Sequence, residues 1–490
     1  MSASSLAPSR TAIRPETDTA GDSSAGLHRL FMPVILVAVL NSVITGSMVN
    51  VLLPEMKDVF GASSAGISWV ITAYSLMYAI GIPLVGRLSD IVGSRTLFVA
   101  GLAGFAAGTL VSAIAPNLAI LIIGRLIQGA GGAAIPAMAL VLIARSVPEE
   151  RRGQAMGLMG SAVGAGSAIG PFAGGFLGEL IGWRGLFVLP FVVSLALVPV
   201  VRKAIPNTLG APGSSFDLAG GALLGATIGL ALLGITRGDT SPLTLLAFAG
   251  SAVALGGFVW RINHAPAPFA PPALFRNSAY IRLLSTAAFS MMGYMAALVL
   301  TPLMLVEYNN LSAGEAGLAL TPSAIALAIG SRYAGGISDR VGPRTPVVAG
   351  TALVLAAAGF MSTFGAGAQA VTVAAGMSLV GAGLSMVSPP LNSAASRTLP
   401  RDQTGIGMGL FSGFTFMGGG IGAAVIGAWI AARERANGDA LNPFHDGDGA
   451  VWSDAYLLVA AIAAIALALG WSIRRTGQQG PDSQQPTSQT

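Results

Sequence analysis

The chain contains no cysteine, which excludes disulfide bonds, thiolate zinc sites and thiol chemistry. It is also poor in charge, because charged residues make up 10% of the sequence, against roughly 25% in an average soluble domain. Hydrophobic residues make up 53%, and the mean hydropathy is +0.72. Apolar runs long enough to cross a hydrocarbon layer of roughly 30 Å recur along nearly the whole chain. The composition therefore predicts an integral membrane protein.

The motifs of ATP-driven pumps and of enzymes are missing as well. Neither of the two lysines, Lys57 and Lys203, completes the phosphate-binding pattern GxxxxGK[ST]. No GxSxG elbow occurs, and the histidines lie outside the apolar runs, so neither a hydrolase site nor a metal cluster is indicated. The glycines of residues 129–134 resemble a dinucleotide fingerprint, but they lie inside an apolar run with no strand before it, which favours close helix packing. We expect no enzyme activity and no cofactor.

The apolar runs predict fourteen membrane-spanning helices. They cover residues 30–53, 67–85, 97–115, 118–142, 155–177, 185–201, 217–236, 242–260, 280–306, 316–334, 346–364, 370–394, 406–431 and 454–473. The two ends of the chain are rich in polar residues instead, and we expect disordered tails at 1–28 and 476–490, with no cleavable signal peptide before the first span. Because the number of spans is even, both tails should lie on the same side of the membrane.

The distribution of basic residues predicts which side that is. With a cytoplasmic amino terminus, most of the 26 lysines and arginines fall in loops on the cytoplasmic side, as the positive-inside rule requires. This topology accounts for the net charge of +5 without a nucleic-acid partner. Arginine outnumbers lysine, and alanine and glycine are abundant, which indicates a GC-rich bacterial genome. We expect a multi-pass protein of the bacterial plasma (inner) membrane, surrounded by the lipid bilayer, with both termini cytoplasmic.

A ten-residue segment occurs twice. Residues 86–95 read GRLSDIVGSR and residues 335–344 read GGISDRVGPR, and each copy follows the second span of a six-span half. Repeated halves are typical of secondary transporters, whose substrate binds between the halves near the middle of the membrane. The repeat predicts an amino-terminal six-helix bundle at 29–203 and a carboxy-terminal one at 280–475. The seventh and eighth spans are then an insertion with its linkers at 204–279.

One arginine lies deep in a predicted span. Arg125 is about a third of the way into the fourth span from the outer side, where burying a cation costs at least ~2.5 kcal/mol. That cost marks it as a functional candidate that faces a central crevice. The alternative is an arginine that snorkels or has a structural partner. Arg332, near the inner end of the tenth span, can reach the cytoplasm by snorkelling.

Residues 164–175, GAGSAIGPFAGG, place five glycines and a proline in the fifth span. In water each interior glycine costs ~1 kcal/mol relative to alanine, but lipid keeps the chain helical because unsatisfied backbone groups are far more costly there. The small residues let another helix approach closely. A close-packing face at Gly166 and Gly170 is one interpretation, and the full order of glycines and proline suggests a second.

Five stretches together resemble a known family. They are residues 45–54 (TGSMVNVLLP), 69–74 (WVITAY), 86–95, 125–136 (RLIQGAGGAAIP) and 164–175. With them the chain resembles the fourteen-helix drug:proton antiporter branch of the major facilitator superfamily, and within it the tetracycline exporters of Gram-positive type. The resemblance implies an all-α integral membrane protein with the major facilitator fold, in which two pseudo-symmetric six-helix bundles flank two inserted helices. It also implies alternating access driven by a proton gradient, with no cofactor.

The resemblance assigns two conformational elements. The repeat is expected to act as a cytoplasmic latch, because a carboxylate in a glycine-bordered turn can pair with a guanidinium or with the positive end of a neighbouring helix. Alternatively, its arginines only set the topology. The glycine stretch is expected to form a pivot between the fifth helix and its neighbour in the other half. The latch residues are Gly86, Arg87, Asp90, Gly93, Arg95, Asp339, Arg340, Gly342 and Arg344, and the pivot residues are Gly166, Gly170, Pro171, Gly174 and Gly175.

The chain departs from these relatives in its carboxylates. Relatives carry membrane-embedded acids where this sequence has Thr45, Ser167 and Gly419, and no Asp or Glu remains near the middle of any predicted span. Glu307, at the outer end of the ninth span, is the best remaining candidate for a titrating group. A wetted carboxylate at a helix end explains it equally well.

A buried arginine without a buried acid favours anionic, zwitterionic or neutral amphipathic substrates over lipophilic cations. We expect a secondary active exporter, a proton-coupled antiporter of antibiotic-like molecules that acts as a monomer, one candidate substrate being an antibiotic that the host itself makes. The alternative is an uncoupled facilitator or importer of a small organic anion. The candidate substrate and coupling residues are Arg125, Asn41, Thr45, Asn50, Tyr74, Gln128, Met291, Tyr294, Glu307, Asn392, Phe411 and Phe414.

Overall fold

A computed structural model of the chain shows a bundle of long helices. It describes residues 21–62, 64–205, 217–237, 241–311, 313–400, 403–436, 440–445 and 449–473, and a few residues inside helices by their backbone only. Most of the two predicted tails and the linker at 206–216 lie outside the described residues. The first helix begins at Gly21, so the last part of the predicted tail at 1–28 is helical instead.

Helices account for nearly all of the described residues, among which no strand is assigned. The helices are α1 (Gly21–Phe60), α2 (Ser64–Val92), α3 (Ser94–Ala113), α4 (Leu118–Ser146), α5 (Glu149–Ala204), α6 (Leu218–Arg237), α7 (Pro242–His264), α8 (Pro272–Arg276), α9 (Ser278–Glu307), α10 (Ala313–Val341), α11 (Arg344–Phe364), α12 (Ala370–Thr398), α13 (Thr404–Ala436) and α14 (Ala450–Trp471).

The long element α5 is two membrane-spanning arms joined at Gly182. This glycine has φ 68° and ψ 166°, a conformation that residues with a Cβ rarely adopt. Both ends of α5 lie on the same side of the molecule, because Gly153 donates to Asp339 and the Arg202 carbonyl accepts from Arg95. The two arms are the fifth and sixth predicted spans, and α8, with 5 residues, is too short to cross a membrane. The fourteen predicted spans are therefore present.

Length and hydropathy alone qualify 11 of the described helical segments as membrane spans, with a shorter apolar segment at Leu218–Gly234. The first arm of α5 and the helix α10 do not qualify, because glycine, serine and charged end residues lower their hydropathy. These two helices pack against each other. Their small side chains let the two helices approach closely, and this packing stabilises the pair although each helix is only moderately apolar.

Each half forms its own bundle. In the amino-terminal bundle α1 packs along α5, and α4 packs against α2 and α3. In the carboxy-terminal bundle α9 packs against α13 and α14, while α12 contacts α10 and α11. The inserted helices α6 and α7 pair with each other, and α6 lies beside α2. The bundles meet mainly along two helix pairs, α5 with α10 and α2 with α13, which together we call the seam.

Glycines allow both helix pairs of the seam to cross closely. A Cβ on Gly335 of α10 would overlap the carbonyl oxygen of Gly153 in α5. A Cβ on Gly86 of α2 would lie 2.6 Å from the carbonyl oxygen of Gly405 and 2.7 Å from the Cα of Gly409 in α13. Because Gly86 and Gly335 occupy the same place in the repeat, each copy puts its first glycine at a crossing of the two bundles.

The predicted pivot at 164–175 does not lie at the seam. Gly166, Gly170 and Gly174 lie against Val43, Ser47 and Met48 of α1, in the same bundle. The face of α5 that meets α10 carries Gly153, Gly157, Gly160 and Gly164 instead. Residues two apart lie roughly 200° apart around a helix, so Gly164 and Gly166 face different neighbours. The assignment of a pivot between the halves to the later glycines is therefore wrong, and close packing explains them. Pro171 and Gly175 lie in α5 but are described by their backbone only.

Candidate functional site

Both copies of the repeat lie at one end of the bundle, which we call the repeat side. There Asp90, near the end of α2, accepts backbone hydrogen bonds from Gly405 at 3.0 Å and Ile406 at 2.9 Å, in the first turn of α13. Arg145 of α4 donates to the same carboxylate at 2.5 Å. The first N–H groups of a helix have no partner within the helix, so a carboxylate there satisfies them and meets the positive end of the helix dipole. We call Asp90, Arg145, Gly405 and Ile406 the first clasp.

The second copy builds a similar arrangement across the other helix pair, with its acid about one turn farther along the helix that it meets. Asp339, near the end of α10, accepts from the backbone of Gly153 at 3.1 Å and Gln154 at 3.0 Å, in the first turns of α5. Arg397 of α12 donates to Asp339 at 2.9 Å and to the carbonyl oxygen of Glu149 at 2.8 Å. We call Asp339, Arg397, Gly153 and Gln154 the second clasp. The two clasps join the bundles on the repeat side, each with its acid on a different bundle.

The arginines that complete the clasps are not those of the repeat. Arg145 and Arg397 were missed because they lie far along the chain from their acids, at separations of 55 and 58 residues. These nearly equal separations are a signal that comparison of the two halves could have detected. Arg95 instead donates to the Arg202 carbonyl oxygen at 3.3 Å, and the guanidinium of Arg344 lies 4.7 Å from the Trp471 ring.

The remaining repeat residues shape the turns. Gly93 and Gly342 have φ values of 96° and 80°, which end α2 and α10 and which a residue with a Cβ would resist. Arg87 is half-buried one turn before Asp90, and Arg340 is exposed.

Arg125 lies inside the amino-terminal bundle. Its side chain is almost fully buried, and its Nε donates to the Val70 carbonyl oxygen at 2.9 Å. Its Nη1 donates to Gln128, whose amide in turn donates to Thr109 at 2.7 Å. The guanidinium carbon lies 4.3 Å from the centre of the Tyr74 ring. These partners belong to α2, α3 and α4, so the expectation that Arg125 faces a crevice between the bundles is wrong, and the alternative of structural partners describes it.

An aromatic row continues from this buried arginine to the other bundle. Tyr74 stacks on Tyr78 with ring centres 5.6 Å apart, and Tyr78 contacts Phe416 of α13 at 5.1 Å. The rings of Tyr74 and Tyr78 therefore lie between Arg125 and the other bundle. Tyr74 and Gln128 are in the predicted set, whereas Tyr78 and Phe416 are not.

The other candidate residues of the first half pack within their own bundle. The Asn41 amide donates to Ser194 of the second arm of α5 at 2.9 Å, and Thr45 is buried and donates to the Asn41 carbonyl oxygen at 2.6 Å. Neither contact faces the carboxy-terminal bundle. The side chain of Asn50 lies outside the described residues.

The candidates of the second half are dispersed. Tyr294 belongs to the core of its bundle, and Met291 packs near Gly419 of α13. The Asn392 amide donates to the Ser388 carbonyl oxygen at 2.9 Å, one turn earlier in the same helix. Glu307 is exposed at the end of α9, as expected of a wetted carboxylate at a helix end.

A cavity of about 430 Å³ lies beside the seam on the repeat side. Phe414 lines it, while the other predicted substrate residues among the described ones do not. Phe411 instead is buried 6.5 Å from the Tyr280 ring. The lining residues are Pro83 of α2, Leu224, Thr227 and Ile228 of α6, Leu255, Phe258, Val259, Ile262 and Asn263 of α7, Pro272, Phe275 and Arg276 of α8, and Leu410, Gly413, Phe414 and Met417 of α13. The inserted helices were thus assigned no site by the sequence, yet they form two of the cavity walls.

A buried acid holds the inserted pair at its base. Asp217 accepts from the backbone of Gly220 at 3.0 Å and Phe269 at 3.2 Å, and from Arg261 of α7 at 3.1 Å. Burial acts to raise the pKa of the Asp217 carboxyl, but the two backbone donors and the guanidinium outweigh it, so this pKa lies below its usual value. Asp217 thereby ties α6 to α7 and to the segment before α8.

Two helical bundles, an inserted pair and clasps on one side of the seam define a membrane transporter of the two-bundle type. The chain belongs to the Major Facilitator Superfamily, whose family model matches residues 35–423 and, in a second match, 283–489. This confirms the superfamily and fold predicted from the sequence.

The chain is similar to proteins that are named for drug resistance. It is 30% identical over 379 residues to a multidrug resistance protein B homolog of Mycobacterium tuberculosis, covering 75% of this chain and 69% of that protein. It is 29% identical over 435 residues to the tetracenomycin C resistance and export protein of Streptomyces glaucescens, covering 87% of this chain and 79% of that one. The structure of the human organic anion transporter MFSD10 has the same fold, with a TM-score of 0.67 at 15% identity over 90% of this chain and 99% of that one.

Proposed function

We propose that the protein is a secondary active exporter of amphipathic, antibiotic-like small molecules that works by alternating access. The repeat side, with both termini, faces the cytoplasm of a bacterial cell. The observation that carries this proposal is that both clasps close the seam on the repeat side, through hydrogen bonds between acids of one bundle and helix ends of the other. Such contacts can break and reform as two rigid bundles rock.

The geometry of the clasps limits the cost of opening. Asp90 and Arg145 belong to the same bundle, and Asp339 and Arg397 belong to the other. When the bundles separate, each carboxylate loses its bonds to the opposite helix but keeps its own arginine. Neither acid is left without a charged partner at that moment, whereas breaking a buried ion pair by removing one partner costs about 3 kcal/mol or more.

The names of the relatives support export of antibiotics. The Streptomyces relative is named for resistance to and export of tetracenomycin C, and other relatives are named as multidrug resistance proteins. Together with the arginine-rich, alanine-rich composition, this favours an antibiotic made by the host as one candidate substrate. Anionic or zwitterionic molecules fit best, because no carboxylate is described deep within any of the described spans.

The proton gradient is the proposed energy source, and the missing acids at Thr45, Ser167 and Gly419 favour a second candidate. That candidate is an uncoupled facilitator or importer of a small organic anion. A gradient-driven exporter lowers the drug content of the cell below equilibrium and stops doing so when a protonophore is added. A facilitator only speeds equilibration and is indifferent to the protonophore.

A susceptibility panel tests the proposal. The chain is expressed in an efflux-deficient bacterial host, which is exposed to carboxylated and to cationic drugs with and without a protonophore. We expect resistance to carboxylated drugs that disappears with the protonophore. Resistance to no drug in the panel would contradict export, and transport that persists with the protonophore would favour the facilitator.

A further inference from the structure

We propose that the cavity beside the seam is a binding site for an amphipathic organic anion that enters from the bilayer leaflet on the repeat side. This inference rests on the proposed function, since the anion is taken to be the exported substrate. It gives the inserted helices α6 and α7 a role: they form the side of the site that faces the lipid, and the ligand enters past α7.

The chemistry of the cavity selects an amphipath. Its walls are apolar, with aromatic rings from Phe258, Phe275 and Phe414 on three different helices. Polar side chains line it at one end, where Asn263 ends α7 and Arg276 lies in α8. The third polar lining residue, Thr227 of α6, donates its hydroxyl to the Leu223 carbonyl oxygen at 2.8 Å. A ligand with an apolar body and one polar end matches this division. The cavity volume of about 430 Å³ lies in the range of pockets that bind drug-sized ligands.

The charge at the polar end is positive. Arg276 is exposed, and within the part of the chain that the structure describes it forms no salt bridge. The other guanidinium nearby, that of Arg261, is neutralised by Asp217 at 3.0 Å. A carboxylate or sulfonate on the occupant would therefore find its partner in Arg276.

The side of the cavity formed by α7 is open toward the bilayer. Leu255 and Val259 line the cavity and are also 46% and 48% exposed. Other large apolar residues of α7, such as Val253 and Leu246, are still more exposed, as expected of a helix that faces lipid. An amphipath lying in the leaflet would reach the cavity past the Leu255–Val259 edge.

The opposite wall of the cavity is the seam itself. Pro83 of α2 and Gly413 of α13 both line it, and a Cβ on Gly413 would lie 3.4 Å from the Pro83 ring. The next turns of the same two helices carry the Gly86–Gly409 crossing and the first clasp. When that clasp opens and α13 leaves α2, the cavity joins the space between the bundles. While the first clasp is closed, the bound ligand lies next to the region that becomes the space between the bundles.

The absence of cysteine makes a direct test possible, because single cysteines can be placed in the otherwise natural chain. Val259→Cys at the cavity edge and Val253→Cys on the lipid-facing side of the same helix are each labelled with bimane, in nanodiscs of phosphatidylcholine. The quencher is 9,10-dibromostearate, an anionic amphipath whose bromines quench on contact. Its methyl ester and brominated phosphatidylglycerol serve as the neutral and the phospholipid probes.

We expect dibromostearate to quench the label at position 259 along a saturable curve, and the label at position 253 only in proportion to its amount in the bilayer. The Arg276→Gln substitution should weaken the saturable binding roughly tenfold, and Arg276→Lys should largely retain it. Proportional quenching at both positions, equal binding of the ester, or equal saturation by brominated phosphatidylglycerol would overturn the inference.

The outcome is separable from that of the proposed function. Saturable binding of dibromostearate in a protein that confers no resistance would refute export and leave the site standing. Full, protonophore-sensitive resistance to carboxylated drugs in the chain with Arg276 intact, with only proportional quenching at position 259, would refute the site and leave export standing.

Discussion

The two clasps have the same parts, but they differ in how the arginine is shared. In the first clasp Arg145 contacts Asp90 and the hydroxyl of Ser94, and the arginine and acid side chains are 19% and 6% exposed. In the second clasp Arg397 is divided between Asp339 and Glu149, which lies 3.6 Å away, and its side chain is 27% exposed. Since Glu149 belongs to α5, Arg397 itself crosses the seam, whereas Arg145 does not.

This difference predicts that the two clasps, though built from one repeated motif, tolerate change unequally. If the acid of the first clasp is lost, Arg145 has no second carboxylate among the described residues. If the acid of the second clasp is lost, Arg397 retains Glu149. A buried charge without a partner is far more costly than a lost hydrogen bond, so the first clasp should be the more sensitive.

The largest effect is expected from Arg125, the buried arginine of the amino-terminal bundle. Arg125→Ala removes the centre of the network that joins Val70, Gln128 and Tyr74, at a cost of about 2 kcal/mol in hydrogen bonds to a charged group. Drug resistance should fall roughly tenfold or more, while the protein still inserts and elutes as a folded species. Arg332→Ala, at an exposed arginine of α10, is the control and should change little. Unchanged export by the Arg125 variant would remove this residue from the mechanism.

A methyl group at a seam crossing should have the next largest effect. In Gly335→Ala the new Cβ would overlap the Gly153 carbonyl oxygen, so the bundles could not close fully on the repeat side. The neighbouring Gly336→Ala is a matched control, because nothing lies within 4 Å of a Cβ there. Export assays should show severe loss for the first and near-normal activity for the second. Equal activity of the two variants would contradict this prediction, because it would mean that α5 and α10 can move apart at Gly335 without loss of export.

Neutralising the acids compares the clasps directly. Asp90→Asn and Asp339→Asn both remove a carboxylate that accepts from the opposite helix, and both should increase labelling of a cysteine placed at the buried Ser89 from the repeat side. We expect the Asp90 variant to lose several-fold more resistance than the Asp339 variant, because only the second arginine retains another acid. Adding Glu149→Gln to Asp339→Asn should bring the two losses closer together. An identical loss from both single variants would show that the sharing of Arg397 has no consequence.

The smallest effect is expected from a change at Asp217, the acid that joins the inserted helices α6 and α7. The pKa of Asp217 is lower in the folded protein than in the unfolded chain, so its charge stabilises the fold at neutral pH, and this contribution is lost as the pH falls below about 4. Asp217→Asn should lower the free energy of unfolding modestly at pH 7. The loss should be about 1 kcal/mol at most, because Arg261 is partly exposed. The difference between the variant and the natural chain should shrink as the pH is lowered. A difference independent of pH would contradict a role for the charge.

Much of the two clasps was readable from the residues. The repeat located Asp90 and Asp339, and the expectation was that a carboxylate there can pair with a guanidinium or with the positive end of a neighbouring helix; in the structure each acid contacts an arginine and the backbone of a helix in the other bundle. Arg145 and Arg397 escaped because they are separated from the acids by whole helices, and no local pattern marks such partners. The glycines of α5 were recognised as a packing motif, but which neighbour each face meets depends on how the helix is rotated.

Arg125 illustrates why the rest was out of reach. The helix α4 is enclosed by protein, with 78% of its most apolar segment buried, and a helix buried on most sides is apolar all round. Its hydropathy therefore does not indicate which face meets the seam. In the lipid-facing α7 the corresponding figure is 22%. The cavity joins side chains from five helices, α2, α6, α7, α8 and α13, that share no motif, and only packing brings them together.

By itself the sequence determined that the chain crosses the membrane fourteen times as two related halves, because lipid forces every long apolar run to satisfy its backbone as a helix. It also determined the family and located the two acids of the clasps. Only the tertiary structure decided which arginines complete the clasps, that Arg125 turns into its own bundle, and that the inserted helices enclose a cavity. Those outcomes depend on the rotation and the lateral order of the helices, which the contacts between side chains fix and the order of residues along one helix does not.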